Sequence, residues 1–292
     1  MREMKTKLVY VLVCNESNYY YEMVAMSLYS FRLYHPTDAV EVVMDRDSYK
    51  YIEGKQTSFI NDVTPVVIDI PSNYNVVQRS RYLKTNLRQF VVGDFLYVDC
   101  DTLVCSTLSE IDSVSADIAM VSDMNRVFPL KNGSRSREIN LQAGFSPRED
   151  EPYFNSGISF VKDTPAAHHF YELWFQNWQK SLERGVPKDQ PALRETNTGL
   201  GFPIQELSAV WNCQLGGDNT RCLYKSKILH YLNVLDFGQV KNGILGRIRK
   251  RGCVDGVLAV MLQVPRLLFY LIYLKHYIRD SYYRIRNIIK GC

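Results

Sequence analysis

FLYVDCDTLV, residues 95–104, ends an apolar run on two carboxylates, Asp99 and Asp101, with Cys100 between them. A β-strand alternates its faces, so residues two apart point the same way. Two uncompensated carboxylates within a few ångströms are stable only if one takes up a proton or a cation binds. Mg²⁺ and Mn²⁺ accept carboxylate oxygens and also bridge diphosphates, so this stretch predicts a metal site that binds a nucleotide.

The quoted run belongs to a series of strand-like segments that alternate with helical patterns. The predicted strands are LVYVLVC (8–14), AVEVVMD (39–45), VVIDI (66–70), the quoted run and DIAMVSD (117–123); the predicted helices follow residues 20–31 and 79–91, and residues 48–59 are predicted to be irregular. The alternation predicts an α/β fold with a mostly parallel sheet. Ligands of such sheets bind at the carboxyl ends of the strands, where the acidic pair lies.

The second half of the chain continues with a strand and a helix. YFNSGISFVK (153–162) predicts the strand, and Thr164 and Pro165 mark the start of a helix that ends at Gly185. Before them, residues 124–152 form a long polar loop that is predicted to shape an acceptor pocket or to close over a bound donor. Its acidic cluster, Glu149 to Glu151, is predicted to be solvated.

The charge of the chain is concentrated at its end. The 292 residues have a net charge of +4, but residues 241–292 alone carry 11 Lys and Arg against two Asp. The apolar stretch 257–274 has Pro265 and Arg266 at its centre, and an Arg in mid-bilayer costs about 3 kcal/mol or more. Residues 241–292 are therefore predicted to form an amphipathic tail on an anionic membrane surface. A helix packed on the domain is the alternative, and the apolar density argues against nucleic-acid binding.

The cysteines and the N-terminus indicate in which cellular compartment the protein is expected. The seven cysteines are scattered and form no CxxC pair, which argues against a disulfide framework or a structural zinc site and favours a reduced, intracellular setting. The N-terminus has a short apolar run and no small-residue cleavage site, so it is interpreted as the first strand and not as a signal peptide.

Spacing alone does not decide the chemistry of the acidic pair. A second D-x-D pair, Asp45 and Asp47, also follows an apolar run, but Arg46 within it would partly neutralise it. The string DCDTLV also fits the haloacid dehalogenase phosphatases, in which the first Asp, here Asp99, is the nucleophile. That motif normally follows the first strand, and the one later acidic candidate, Asp218, follows no buried strand.

Several motifs in order give a more specific signal. LVYVLVCNESNYY, SRYLKTNLRQF, GDFLYVDCDTLV, PYFNSGISFVK, KDQPAL and ILHYLN occur in the order seen in the retaining glycosyltransferases of family 8, and the sequence resembles that family over about residues 7–235. The family includes glycogenin-like enzymes and bacterial lipopolysaccharide hexosyltransferases. The resemblance implies a GT-A type, Rossmann-like nucleotide-sugar-binding domain at 1–240, followed by the tail at 241–292.

The resemblance also assigns site residues. It makes Asp99, Asp101 and His230 ligands of Mn²⁺ or Mg²⁺, and an imidazole ligand favours manganese. Asn233 replaces the glycine that approaches the diphosphate in the family. The other residues implied to bind the nucleotide sugar are Val13, Cys14, Asn15 and Tyr19 at the uridine, Arg81 or Lys84 at the diphosphate or sugar, Cys100 beside the metal, and Asn155, Ser156, Gly157, Asp189 and Gln190 at the sugar. Asp189 would hold sugar hydroxyls, and the Gln190 amide would lie near the anomeric carbon.

The implied activity is transfer of galactose or glucose from a UDP-sugar, with retention of configuration through a front-face route. The implied acceptor is a saccharide, linked to a lipid as in lipopolysaccharide or surface polysaccharide. A bacterial enzyme on the cytoplasmic face of the cell membrane would fit both the acceptor and the tail. A non-catalytic subunit that binds a nucleotide sugar is the remaining alternative.

Overall fold

The computed structural model describes residues 3–55, 60–125, 134–148, 151–215, 220–231, 244–251, 254 and 256–263. Its strands are β1 (Lys7–Leu12), β2 (Val40–Asp45), β3 (Thr64–Ile68), β4 (Phe95–Val98), β5 (Thr102–Val104), β6 (Ile118–Ser122), β7 (Phe154–Val161), β8 (Gln205–Glu206), β9 (Cys213–Gln214) and β10 (Ile228–His230). Its helices are α1 (Tyr20–Arg32), α2 (Arg46–Glu53), α3 (Val76–Thr85), α4 (Leu87–Phe90), α5 (Arg135–Gln142), α6 (Pro165–Glu183), α7 (Gln190–Gly199), α8 (Ile244–Arg251) and α9 (Gly256–Gln263).

A seven-stranded sheet in the order β3-β2-β1-β4-β7-β6-β8 forms the centre of the fold, and the predicted α/β class is confirmed. Strands β3, β2, β1 and β4 are parallel, whereas β7 runs antiparallel to both of its neighbours, β4 and β6. Residue Val98 at the end of β4 therefore pairs with Ile158 in the middle of β7, directly after the NSG segment. This reversal brings the NSG segment of β7 beside the acidic pair.

The quoted stretch forms two strands and not one. Asp99, Cys100 and Asp101 lie in the turn between β4 and β5, so the expectation that strand alternation aligns the two carboxylates is wrong. The chain turns there because β5 leaves the central sheet and joins a second sheet, in the order β5-β10-β9. In that sheet Thr102 pairs with His230, which brings the imidazole to the acidic turn.

Two apolar layers cover the faces of the central sheet. Alternate residues of β1 belong to different layers, with Leu8, Tyr10 and Leu12 on one side and Val9 and Val11 on the other. Helix α6 covers the second face, and it begins at Pro165 and ends two residues before Gly185, as predicted. Its first turn contains Pro165, and the Thr164 side chain accepts a hydrogen bond from the Ala167 amide. The predicted stripe of Phe170, Trp174 and Trp178 is buried.

The second D-x-D pair has a structural role. Residues 48–53 of the stretch predicted to be irregular lie in α2, because the Asp45 side chain accepts from the Ser48 amide at 2.7 Å and caps the helix. Residues 56–59 lie outside the described residues. Arg79 Nη1 lies 2.9 Å from a carboxylate oxygen of both Asp45 and Asp47. The cation expected to neutralise the pair, Arg46, binds Asp69 instead.

Glu151 contradicts the prediction of a solvated acidic cluster. Its carboxylate is buried and accepts from Arg194 Nη1 of α7 at 3.0 Å, and both side chains are almost fully enclosed. A buried carboxylate requires such a partner. Glu149 and Asp150 lie outside the described residues, as do residues 126–133 of the loop predicted at 124–152.

One pair of cysteines contradicts the expectation that the chain has no disulfides. Cys213 of β9 and Cys222 form a disulfide with a Cα–Cα distance of 5.8 Å, although the scattered cysteines argue against disulfides. The sequence separation of nine residues carries no CxxC signal, and Cys222 lies in the short 3-10 helix Thr220–Lys225 that precedes β10.

The first described part of the tail packs on the domain. Leu245 and Ile248 of α8 are buried in an apolar cluster with Met23 and Met26 of α1. Val260 of α9 is 62% exposed. Within the described residues, every helix is too short or too polar to cross a bilayer. Most of the predicted apolar segment at 257–274, from residue 264 onward, lies outside them, as do Asn233 and Asp218.

Candidate active site

Two carboxylates and an imidazole converge where β4 and β10 end. Oxygens of Asp99 and Asp101 and a ring nitrogen of His230 all lie within 4.8 Å of one another. His230 Nε2 is 3.1 Å from Asp101 Oδ1 and 4.0 Å from Asp99 Oδ2. Two hard oxygen donors and one imidazole suit Mn²⁺ or a similar divalent ion, so the residues fit the metal that the resemblance implies. Among the residues described, no other group of His, Cys, Asp and Glu converges in this way.

Burial and charge act together on the His230–Asp101 pair. Burial alone would raise the pKa of Asp101, but the nearby His230 imidazole outweighs it and lowers that pKa. Burial alone would lower the pKa of His230, and the Asp101 carboxylate reverses this and raises it. Each group therefore favours the charged form of the other. A metal cation at the same position would take over the role of the imidazole proton.

Gly157 of the predicted NSG turn makes the close approach possible. A Cβ atom at this position would lie 2.7 Å from Asp99 Oδ2 and nearer still to His230 Cε1, distances that packed atoms do not tolerate. The Asp99 amide also donates to the Gly157 carbonyl oxygen at 2.7 Å. Only a residue without a side chain fits here.

Asp99 accepts hydrogen bonds from two side chains, in addition to its expected role as a metal ligand. Lys84 is 2% exposed, and its Nζ lies 3.0 Å from Asp99 Oδ1 and 5.0 Å from the centre of the Tyr97 ring. The Tyr97 hydroxyl donates to the same oxygen. Burial, followed by the Asp99 charge, raises the pKa of Tyr97 well above its usual value, so this hydroxyl keeps its proton. These contacts orient the carboxylate toward Asp101 and His230.

Asp189 forms the centre of a second charged cluster. It is buried at the start of α7, with Oδ1 2.9 Å from Arg81 Nε and Oδ2 accepting from Ser156 Oγ at 2.6 Å. Lys84 Nζ lies 3.5 Å from Oδ2 and so connects this cluster to Asp99. Burial alone would raise the pKa of Asp189, but Lys84, Arg81 and the Ser156 hydrogen bond lower it far below its usual value. Asp189 is therefore a fully ionised and fully paired carboxylate.

Gln190 lies on the same helix turn but faces a different partner. Its Nε2 donates to Asp123 Oδ1 at 3.1 Å and to the Phe154 carbonyl oxygen at 3.3 Å. Asn155 Nδ2 donates to the same oxygen of Asp123 at 3.0 Å. Because both acceptors of Gln190 can only accept, its amide orientation is fixed, and its carbonyl oxygen remains for another ligand.

A cleft of about 140 Å³ opens beside the acidic turn. Four segments line it: Val11 of β1 and Val13 just after it; Tyr20 of α1; Val76, Val77, Ser80 and Arg81 of α3; and Tyr97 of β4 with Asp99, Cys100 and Asp101 of the acidic turn. Of the two predicted basic candidates, Arg81 lines this cleft, whereas Lys84 is buried behind it. The Cys100 Sγ donates to the Val11 carbonyl oxygen, and burial followed by the two aspartates raises the pKa of this thiol.

The predicted uridine segment is only partly at the cleft. Val13 lines it, but Cys14 is buried with its amide and carbonyl bound to Ser48, and Asn15 caps the following loop by accepting from the Ser17 amide. The Tyr19 ring lies under the Arg249 guanidinium at 3.9 Å, and Tyr20 lines the cleft in its place.

The fold itself has known counterparts. No protein-family model matches the sequence, and no curated protein sequence matches it. Among solved structures, the galactosyltransferase LgtC in complex with donor and acceptor sugar analogues matches with a TM-score of 0.54 and 14% identity, over 87% of this chain and 95% of LgtC. The chain has a glycosyltransferase fold of the family 8 type.

Other glycosyltransferase structures match at similar levels. Mouse xyloside xylosyltransferase 1 has a TM-score of 0.51 and 15% identity over 78% of this chain and 97% of that one. The glycosyltransferase GlyE of Streptococcus pneumoniae has a TM-score of 0.54 and 15% identity over 89% of this chain and 63% of that one. At these identities the comparisons establish the GT-A architecture that the motifs predict.

Within this glycosyltransferase fold, the structure adds four site residues that sequence reasoning did not select. They are Tyr20, Tyr97, Asp123 and Asn212, which contact the cleft, Asp99, Gln190 and His230 respectively. Asp123 carried a usable signal, because it lies at the end of the predicted strand 117–123, where ligands bind in open sheets. Tyr97 carried a weaker one, because it lies two residues before Asp99 in the quoted run. The sequence around Tyr20 and Asn212 carries no such signal, because both side chains reach the site only through contacts with segments distant in the sequence.

Proposed function

We propose that the chain is a retaining glycosyltransferase that moves a hexose, galactose or glucose, from a UDP-sugar to a saccharide acceptor. The observation that carries the proposal is the convergence of Asp99, Asp101 and His230 beside a cleft at the carboxyl edge of the sheet, in a glycosyltransferase fold. Such a site suits a nucleoside diphosphate with a divalent ion. LgtC, a galactosyltransferase in complex with sugar analogues, supports a hexose donor.

The donor would lie along the cleft. Tyr20 is 41% exposed at its edge and offers an aromatic face for the base, with Val13 beside it. Arg81 offers a guanidinium to the diphosphate or the sugar. Asp99, Asp101 and His230 would hold Mn²⁺ or Mg²⁺, and the ion would neutralise charge on the departing diphosphate.

The geometry favours transfer without a covalent intermediate. Both oxygens of Asp189 are occupied by cations and by Ser156, so this carboxylate is not presented as a free nucleophile. Asp123 Oδ1 accepts from the side-chain amides of Asn155 and Gln190. The acceptor hydroxyl would then attack the anomeric carbon on the face from which the diphosphate leaves. The new carbon–oxygen bond forms as the bond to the phosphate oxygen breaks, and the hydroxyl proton passes to the departing diphosphate. The free carbonyl oxygen of Gln190 would stabilise positive charge on the anomeric carbon.

The two alternative functions differ in their products. A dehalogenase-type phosphohydrolase would need Asp99 as an unencumbered nucleophile, but Lys84 and Tyr97 both occupy its Oδ1. A non-catalytic subunit would bind the nucleotide sugar and release nothing. The deciding experiment is a panel of UDP-, GDP- and CMP-sugars with Mn²⁺, scored by release of nucleoside diphosphate or monophosphate. Release of UDP from UDP-galactose or UDP-glucose supports the proposal, and phosphate release from small esters without UDP release contradicts it.

Arg81 provides a test of the donor side. We expect Arg81→Ala to raise the KM for the UDP-sugar about tenfold or more, because a charge-assisted contact to the donor is lost. Arg79→Ala is the matched control, since Arg79 lies on the same helix but binds Asp45 and Asp47 away from the cleft. Steady-state kinetics with varied donor would measure both. Equal KM values in the two variants would exclude Arg81 from donor binding.

We further propose that the acceptor is linked to a lipid and that the segment after α8 associates with the cytoplasmic face of the membrane. The basic and aromatic composition of residues 252–292 supports this. Helix α8 itself is excluded from membrane insertion, because Leu245 and Ile248 are already buried against α1.

Truncation tests the membrane proposal. A chain ending at Arg251 retains α8 and should lose binding to vesicles that contain phosphatidylglycerol, while its UDP-sugar hydrolysis stays unchanged. Flotation of the full-length and shortened chains with anionic and neutral vesicles would measure this. Equal flotation of both chains, or full-length protein that ignores anionic vesicles, contradicts the proposal.

A further inference from the structure

Asn212 lies directly behind the candidate metal ligand His230 and is fully buried, with 0% exposure. Its Oδ1 lies 3.0 Å from His230 Nδ1, and its Nδ2 lies 3.0 Å from Asn155 Oδ1. Its backbone is held as well, because Asn125 Nδ2 donates to the Asn212 carbonyl oxygen at 2.8 Å. Every polar atom of this side chain is therefore engaged inside the protein.

The direction of these hydrogen bonds follows from their fixed ends. The Gly157 amide donates to Asn155 Oδ1 at 2.9 Å, and a backbone amide can only donate. At the other side of Asn155, the Asp123 carboxylate can only accept, which assigns Nδ2 of Asn155 to it. The atom that Asn155 presents to Asn212 is thus an acceptor, so Asn212 must present its NH₂ group there.

This assignment determines the state of the imidazole. With its NH₂ group directed to Asn155, Asn212 presents its oxygen to His230 Nδ1, which must then carry a proton. In the neutral ring the lone pair therefore lies on Nε2, the nitrogen that faces Asp101 and Asp99. Metal-ligating histidines commonly have such a partner on the other ring nitrogen, and loss of the partner weakens metal binding 10- to 100-fold.

We propose that Asn212 is a positioning residue that holds His230 as the Nδ1–H tautomer and so presents Nε2 to a divalent cation. This inference rests on the metal site of the proposed function. Asn212 does not touch the metal or the sugar; it acts through the imidazole. The same set of bonds continues through Asn155 to Asp123, so two buried side chains, Asn212 and Asn155, connect the metal ligand to the carboxylate that orients Gln190.

The test combines the tautomer with metal affinity. In protein labelled with ¹⁵N-histidine, long-range ¹H–¹⁵N spectra with bound Mg²⁺ should show the Nδ1–H form for His230, identified by its absence in His230→Gln. Mn²⁺ binding, followed by the EPR signal of free ion, should weaken 10- to 100-fold in Asn212→Leu. Asn177→Leu is the control, because it loses amide contacts to Thr196 and Lys180, none of them with a residue of the site, and should bind Mn²⁺ like the wild type.

Each outcome decides the inference. An Nε2–H tautomer in the wild type, or Mn²⁺ affinity unchanged in a folded Asn212 variant, overturns it. If Asn212→Leu does not fold, Asn212→Ala and the wild-type spectrum still provide the two readouts. Tight Mn²⁺ binding without sugar transfer would end the proposed function and leave this inference standing. If the wild type binds neither Mn²⁺ nor Mg²⁺, the inference falls together with the metal site on which it rests.

Discussion

Asp101→Ala and His230→Ala should each lower metal-dependent UDP-sugar turnover about a thousandfold. Each variant removes one of three converging donor groups, and a bound ion at a diphosphate contributes several kcal/mol, of which each 1.4 kcal/mol is a factor of ten. UDP release at saturating donor, measured with and without Mn²⁺, would give the size of the effect. Mn²⁺ binding by EPR should fall in parallel.

The control for this pair is His169→Ala, which removes an exposed imidazole on α6 and should leave both measurements unchanged. Circular dichroism would establish that each variant folds. A folded His230→Ala protein that still binds Mn²⁺ and turns over donor at the wild-type rate would remove His230 from the metal site.

Gly157→Ala should disable the site with a single methyl group. The added carbon would meet Asp99 Oδ2 and the His230 ring at distances that force one of them to move, and overpacking of this kind costs about 1–3 kcal/mol. Since both neighbours are candidate metal ligands, Mn²⁺ affinity should fall at least tenfold and turnover should fall at least as far. Thermal unfolding, EPR titration and UDP release would measure the three effects.

Gly199→Ala is the matched control for Gly157→Ala. A Cβ atom at Gly199, the last residue of α7, meets no atom within 4 Å. The alanine should therefore leave metal binding intact and slightly stabilise the protein, because alanine favours a helix over glycine by up to about 1 kcal/mol. If Gly157→Ala behaves like Gly199→Ala, the close packing of β7 against the acidic turn is not needed for activity.

Local sequence signals predicted much of this fold. The alternation of apolar runs with helical patterns predicted the α/β sheet, and the cap, proline and aromatic stripe of residues 164–178 predicted α6. The acidic pair was distinguished from Asp45 and Asp47 by the absence of a neighbouring cation. That reason is wrong, because each pair has a cation: Arg79 binds Asp45 and Asp47, and Lys84 lies 3.0 Å from Asp99. The two pairs differ instead in the His230 imidazole, which converges with Asp99 and Asp101.

The rest depends on pairings between distant segments. His230 reaches Asp101 because β10 pairs with β5 in a second sheet, and no periodicity in the sequence encodes that register. Tyr19 and Tyr20 are adjacent and chemically alike, and the packing of Arg249 on Tyr19 determines which of them is left for the cleft. The same holds for Glu151, which its sequence neighbours would place in solvent but which Arg194 holds in the interior.

The pairing of Arg249 with Glu22 bears on how the protein is prepared. Glu22 of α1 has 0% exposure, and Arg249 of α8 is bound to both of its carboxylate oxygens. An expression fragment cut at residue 240, where the basic composition begins, would strand that carboxylate and uncover the apolar side chains of Met23 and Met26. Removing one partner of a buried ion pair costs about 3–5 kcal/mol, a large share of a typical domain's stability. Such a fragment should aggregate during purification, whereas one that ends after Arg251 should stay dispersed.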